Sequence, residues 1–163
     1  MDAKKEVYNK LDSLGIKYCI TEHEPMFTIE QMDKEGISNY GYLCKNLFLR
    51  DDNGKRHFLV VFYKDKVADL KDIRAQIGSS RLGFASEERL KKYLGLGHGQ
   101  VTPLGVLNDT EHKVEVVFDK DLIGKENVGV HPNDNTATIW LSFDDIKRVI
   151  ELNGNSIKFI EIK

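Results

Sequence analysis

The sequence predicts an α+β fold: one domain over residues 1–163, built on a mixed, mostly antiparallel sheet with flanking helices. Three observations lead there. Strand-like runs cluster in hairpins and do not alternate regularly with helices, which argues against a doubly wound sheet. The helical stretches are short and carry their own start and stop residues. No internal repeat, low-complexity segment or linker divides the 163 residues, a length suited to one compact core.

Val7, Leu11 and Leu14 fall at i, i+4 and i+7, the stripe of a first helix, and Gly15 is placed to end it in a left-handed conformation. Residues 16–21, Ile-Lys-Tyr-Cys-Ile-Thr, alternate like a strand with one face buried. After Glu24-Pro25 a short helix is expected, with Thr28 as cap and Gln31 three residues later. Residues 43–50 and 58–63 make the clearest hairpin, turned by Asp51-Asp52-Asn53-Gly54, where Asn-Gly supplies positive-φ residues. Leu70, Ile73 and Ile77 mark a helix ending at Gly78. Ser86 caps another, Glu87 and Glu88 complement its N-terminal dipole, and a glycine-rich loop follows at 95–99. The last third reads as strands at 114–118, 127–130 and 136–141, a helix over 142–152 and a final strand at 157–162. Ser142 with Asp145 makes a capping box for that helix, and Asn153-Gly154 stops it.

Composition excludes several classes. At 40% hydrophobic and 31% charged, the chain is that of a soluble globular protein. No apolar run approaches the roughly 18–20 residues of a membrane span. The charged start, Met1-Asp2-Ala3-Lys4-Lys5-Glu6, lacks the apolar core of a secretory signal, so a cytoplasmic location is expected. Cys19 and Cys44 need no disulfide and read as small buried apolar side chains. A net charge of −2 argues against a general nucleic-acid binder, and DNA is not an expected partner. Residues 64–92 nevertheless hold eight Lys or Arg against five acids, with sixteen against twenty-one elsewhere. That asymmetry suits a phosphate-facing patch and, equally, a solvated helix face.

Familiar motifs fail on spacing. The loop Gly95-Leu96-Gly97-His98-Gly99 is followed by Gln100 and Thr102 where a dinucleotide fingerprint requires glycine, and no Gly-Lys-Ser/Thr makes it a P-loop. His23, His57, His98, His112 and His131 show none of the close spacings of zinc sites, so no metal and no other cofactor is expected. Nothing local would lower the pKa of Cys19 or Cys44, and no G-x-S-x-G elbow is present.

Three segments look unlike packing. In Leu43-Cys44-Lys45-Asn46-Leu47-Phe48-Leu49, Lys45 shares a strand face with Leu43, Leu47 and Leu49, and Asn46 points the other way with Phe48. A lysine on an apolar face sits at the mouth of a pocket, or else the strand starts after it and Lys45 is merely solvated. In Gly99-Gln100-Val101-Thr102-Pro103, glycine permits close backbone approach and proline locks the far end, an arrangement that can aim N–H groups at an oxygen. In Val130-His131-Pro132-Asn133-Asp134-Asn135-Thr136, proline fixes the backbone beside a histidine, in either a built site or a plain surface turn.

Taken together, the Cys44-Lys45-Asn46-Leu47-Phe48 strand, the Gly-x-x-x-Pro loop at 99–103 and the His131-Pro132 turn resemble, in order, three markers of the prolyl-tRNA synthetase-associated (YbaK-like) editing domain family. His23-x-Pro25 leading to Thr28, and Arg81-Leu82-Gly83-Phe84-Ala85-Ser86, are similar to further family segments. The resemblance runs from about residue 5 to 152, and without a synthetase body the chain is most similar to the free-standing alanyl-tRNA(Pro) deacylases.

The resemblance implies hydrolysis of the ester joining alanine to the terminal ribose of mischarged tRNA(Pro), with prolyl-tRNA synthetase as a further candidate partner. It implies that Lys45 holds the phosphate or ribose end and that backbone N–H groups from Gly99 through Val101, Thr102 and Pro103 meet the carbonyl. His131 would act as acid–base or orienting group. Asn46 would bond substrate or Lys45, Met26, Phe27, Thr28 and Ile29 would wall the pocket, and Arg81 would meet tRNA phosphate. Two rivals follow: a deacylase for cysteine or serine, and a non-catalytic module binding ligand or tRNA.

Overall fold

The computed structural model describes residues 2–163. Among them, five α-helices and eight strands follow in the order α1 (Ala3–Ser13), β1 (Cys19–Glu22), α2 (Ile29–Lys34), β2 (Tyr42–Arg50), β3 (His57–Tyr63), α3 (Leu70–Ile77), β4 (Gly83–Phe84), α4 (Glu87–Leu94), β5 (Val114–Asp119), β6 (Val128–Val130), β7 (Ala137–Leu141), α5 (Phe143–Asn153) and β8 (Ile157–Ile160). Short 3₁₀ turns occupy Ile37–Tyr40, Pro103–Asn108 and Lys120–Leu122.

The sheet order is β1-β7-β6-β2-β3-β5-β8, with β4 paired to β2 off that path. Pairs β1/β7, β6/β7, β2/β3 and β2/β4 are antiparallel; β2/β6, β3/β5 and β5/β8 are parallel. This is the mixed, mostly antiparallel sheet with flanking helices that the sequence predicts. β3 is central and buried on both faces, which explains its unbroken apolar run. Leu59 and Val61 face the main core with Val7 and Leu11 of α1, Leu90 and Leu94 of α4, and Ile146 and Val149 of α5. Phe58, Val60 and Phe62 face Ile73 and Ile77 of α3. A third cluster, Met26, Met32, Ile37, Leu43 and Trp140, fills the space under α2.

The predicted helix signals act as expected. Gly15, Gly78, Gly95 and Gly154 take positive φ at the helix ends, and Thr28 with Gln31 forms a reciprocal capping box. Ser142 accepts from Asp145 N–H, which is the cap half of the expected box. Four local expectations need correction. The first strand runs from Cys19 to Glu22, not 16–21, and as the outermost strand of the sheet it leaves Ile20 45% exposed. Cys19 lies on that edge and is exposed, whereas Cys44 is buried as expected. In the β2–β3 turn only Gly54 has positive φ, because Asp51 accepts from Lys55 and Arg56 N–H and closes a longer loop that asks nothing unusual of Asn53. The last strand ends at Ile160. The short strand β4 and the 3₁₀ turns carry too few residues to leave a periodic signal.

One charged cluster ties the sheet to the C-terminus. Asp119 is 1% exposed and accepts from Lys66 Nζ at 2.6 Å and from Ile162 N–H at 3.2 Å, and the same ammonium donates to Ile162 O at 2.7 Å. Removing one member of a buried pair strands the other. Asp119→Ala is therefore expected to cost about 3 kcal/mol, seen as a lower urea midpoint at unchanged m-value.

Candidate active site

The site lies where strand β2 loses its neighbour. On the edge away from β3, β6 pairs only with Tyr42 and Leu43, and β4 only with Leu49 and Arg50. Residues 44–47 between them have no strand on that edge. A cavity of about 590 Å³ opens there, walled by residues 26–33, β2, the start of the 64–67 loop, the 98–101 loop and residues 129–131.

Lys45 lies within β2, opposite Phe62, and is exposed at this cavity. Of the two sequence readings, the mouth of a pocket is therefore the one realised; the strand does not begin after it. Three lysines line the cavity. Lys64 Nζ is held by Asp33 at 3.1 Å and Asp65 at 2.8 Å, and Lys66 by Asp119 and Asp121. Lys45 makes no ion pair among the described residues, so its charge is available to an incoming anion. Asn46 projects to the other face of β2, and its Oδ1 is buried without a hydrogen-bond partner among the described residues. Such an orphan acceptor costs about 1–3 kcal/mol, so it marks a functional position more readily than a structural one.

His131 follows β6 where the chain turns away from β2. Its Nδ1 lies 3.0 Å from Ala137 O, and since a carbonyl only accepts, Nδ1 carries the proton. Nε2 is then an acceptor, with no protein partner among the described residues, on a ring that lines the cavity. Burial lowers the pKa of this imidazole below 6.5, outweighing the bond to Ala137. The turn is braced throughout. Thr102 Oγ1 donates to His131 O at 2.6 Å. Asp134 Oδ1 accepts from Thr136 N–H at 2.8 Å, and Lys4 Nζ from α1 donates to Thr136 Oγ1 at 2.9 Å. Asn135 exchanges hydrogen bonds with Met26, each 3.3 Å, joining this turn to the segment that enters α2.

The 99–103 loop contributes backbone. Gly99 has φ +81, and a Cβ there would overlap the Phe27 ring, so glycine is required twice over. Gln100 N–H is taken by Gly97 O at 3.1 Å. The N–H groups of Gly99 and Val101, both cavity residues, have no protein acceptor among the described residues. Two such donors, a free cation and a neutral imidazole acceptor around an apolar floor can polarise an ester carbonyl and stabilise the oxyanion that forms from it. Cys44 lines the same cavity, but burial pushes its thiol pKa up, which suits packing and not attack.

Nine of the residues singled out from sequence come together here: Met26, Phe27, Thr28, Ile29, Lys45, Asn46, Gly99, Val101 and His131. Thr28 does so at the rim with its hydroxyl already occupied in capping α2, accepting from Gln31 N–H at 3.1 Å. Three do not join them. Thr102 is fully buried and braces His131, and Pro103 is buried as the first residue of the 3₁₀ turn, so both stand behind the cavity wall. Arg81 is exposed beside β4, in a shallow groove with Arg50 and Phe84 at the far end of β2. Sequence reasoning passed over Gly129, where a Cβ would overlap the Trp140 ring, and His98, whose ring stacks on Phe27. The isolated glycine in Val128-Gly129-Val130 was the available signal for the first. Among the described residues no group of three His, Cys, Asp or Glu could hold a metal ion.

Residues 23–149 match the profile of the aminoacyl-tRNA editing domain. The chain is 54% identical over 162 residues to the prolyl-tRNA editing protein ProX of Acetoanaerobium sticklandii, covering 99% of both chains. It is 34% identical to the prolyl-tRNA synthetase associated domain-containing protein 1 of Danio rerio, over 93% of this chain and 83% of that one. A solved structure described as a candidate trans-editing enzyme for prolyl tRNA synthetase superposes with a TM-score of 0.71 over 100% of this chain and 98% of the other. At 19% identity that likeness establishes a shared fold.

The depressed pKa of His131 has two consequences. In an NMR titration its ring is expected to stay neutral, with Nδ1 protonated, as pH falls through 6.5. His57 is shifted the same way, by burial first and by Arg89 second. Because both groups gain a proton more readily unfolded, their contribution to stability is full above pH 6.5 and is lost as pH falls towards their folded values.

Proposed function

Since the chain belongs to the aminoacyl-tRNA editing domain family, we propose that it is a trans-acting deacylase that hydrolyses the ester of alanyl-tRNA(Pro). The observation that supports this best is convergence. Lys45-Asn46, Gly99 with Val101, and His131, far apart in sequence, line one cavity with complementary polar groups.

In this reading water adds to the ester carbonyl carbon, and its oxygen becomes an oxyanion facing Gly99 and Val101 N–H. The bond from that carbon to the ribose oxygen then breaks, the ribose oxygen takes a proton, and free alanine and tRNA leave. Lys45, unpaired and at the mouth, holds the phosphate end of the terminal nucleotide and adds positive field at the reacting ester. His131, neutral with Nε2 as acceptor, orients the attacking water or the α-amino group; the vicinal ribose hydroxyl can supply the base. Asn46, which lines the same cavity, is a hydrogen-bonding partner for the substrate or for Lys45.

Selection is by size. Proline exceeds alanine by too little for a binding pocket to exclude the smaller side chain, since each methylene is worth only about 1–3 kcal/mol. A second site too small for the ring resolves the pair, and Met26, Leu43 and Val130, all buried, close this cavity's floor. The mischarged tRNA would come from prolyl-tRNA synthetase in the cytoplasm, where translation runs. With a net charge of −2, the protein would hold tRNA modestly and with strong salt dependence, Arg81 being one exposed cation for the stem.

Deacylation of Ala-, Cys-, Ser- and Pro-tRNA(Pro) tests this reading. Cleavage of the alanyl ester with the prolyl ester spared is expected; preference for the cysteinyl or seryl ester would reassign the substrate, and no cleavage at micromolar enzyme would end the enzyme reading. Lys45→Ala should lower kcat/KM about 10- to 100-fold, the worth of a charged hydrogen bond, at unchanged melting temperature.

A further inference from the structure

We propose that Phe27, backed by His98, is a stacking platform for the terminal adenine base of the tRNA. This rests on the deacylase reading and adds to it a site for the nucleobase, outside the groups that meet the ester.

Phe27 is 53% exposed at the rim of the cavity, and yet it is not loose. Its N–H donates to Gln31 Oε1 at 2.7 Å, and the next residue is the N-cap of α2, so its backbone is fixed by the capping box. Its ring lies 6.1 Å from that of His98 with 17° between planes, an offset stack that still leaves about half of Phe27, 53%, open to solvent. The ring crosses the backbone at Gly99, where any Cβ would overlap it. A large apolar ring is thus held in water, by three separate devices, beside a polar site. Burial does not account for it.

The chemistry of the rim points to a nucleoside. Among the described residues the cavity has one lysine free of ion pairs, Lys45, and its exposed aromatic rings are Phe27 and His98. An unpaired cation and an aromatic face together are the elements that hold an unpaired nucleotide, charge to phosphate and ring to base. Stacking is tolerant of base identity, which fits a contact to the adenosine that ends every tRNA. The other exposed aromatics lie elsewhere: Tyr40 packs on Trp140, and Phe84 borders the groove near Arg81.

The experiment compares acceptor-stem hairpins ending in adenosine or in an abasic residue, bound to the full-length protein and followed by fluorescence anisotropy. The wild type should bind the adenosine end about five- to hundred-fold more tightly, the range of one base–aromatic stack. Phe27→Leu should abolish that difference, Phe27→Trp should retain it, and His98→Ala should reduce it. Phe27→Leu should also raise KM for alanyl-tRNA(Pro) by the same factor with kcat held, and circular dichroism reports whether each variant is folded. A Phe27→Leu protein that still discriminates between the two ends would overturn the platform. So would one in which the prolyl ester becomes cleavable while end discrimination persists, since Phe27 would then line the amino-acid pocket. The deacylase reading fails separately, through absent cleavage by the wild type, while the binding comparison still decides the role of Phe27.

Discussion

Strand β2 has two partners on one edge and meets each only at an end. β6 bonds to its first two residues and β4 to its last two, so the strand between them is fully bonded to β3 on one side and to no strand on the other. A polar backbone left open in this way needs water, ligand or side chains against it. The cavity fills that requirement, and it places Lys45 and Asn46 on a rigid central strand. Sites built on such elements hold their geometry better than sites on loops.

The loops that complete the site gain comparable rigidity from one another. Thr102 bonds to the His131 carbonyl, Asn135 to Met26, and Lys4 to Thr136, so two segments and the first helix brace a single turn. Preorganised donors cost no reorganisation during reaction, which is where much of an enzyme's advantage originates. Burial keeps the histidine within this turn neutral, and its bond to the Ala137 carbonyl defines the tautomer.

Much of this was legible in the sequence because local rules agreed with the fold. Helices announced themselves through caps at Thr28, Ser86 and Ser142 and through glycines at their ends. Lys45 betrayed itself as a charge on an apolar face. What stayed hidden depends on contacts between distant residues. Whether the strand holding Lys45 began before or after it is settled by pairing with Val128 and Gly129 through the parallel β6, some eighty residues on. Thr102 looks like a site residue by its neighbours in sequence and is a brace by its neighbours in space. The pairing of Lys64 with Asp33 and of Lys66 with Asp119 has no sequence signature, since those acids lie far from both lysines. Cys19 was misjudged because an edge strand and an interior one look alike over six residues.

The floor of the cavity carries a further consequence. Gly129 lacks a side chain where the Trp140 ring sits against it across the β6/β7 pair. Any larger residue at 129 would require a smaller one at 140, and a smaller residue at 140 alone would leave a void below the cavity among Met26, Met32 and Leu43. Neither position can drift independently. The floor beside Gly129 is thus set by two residues acting as one unit, and a change of bulk at either calls for a compensating change at the other.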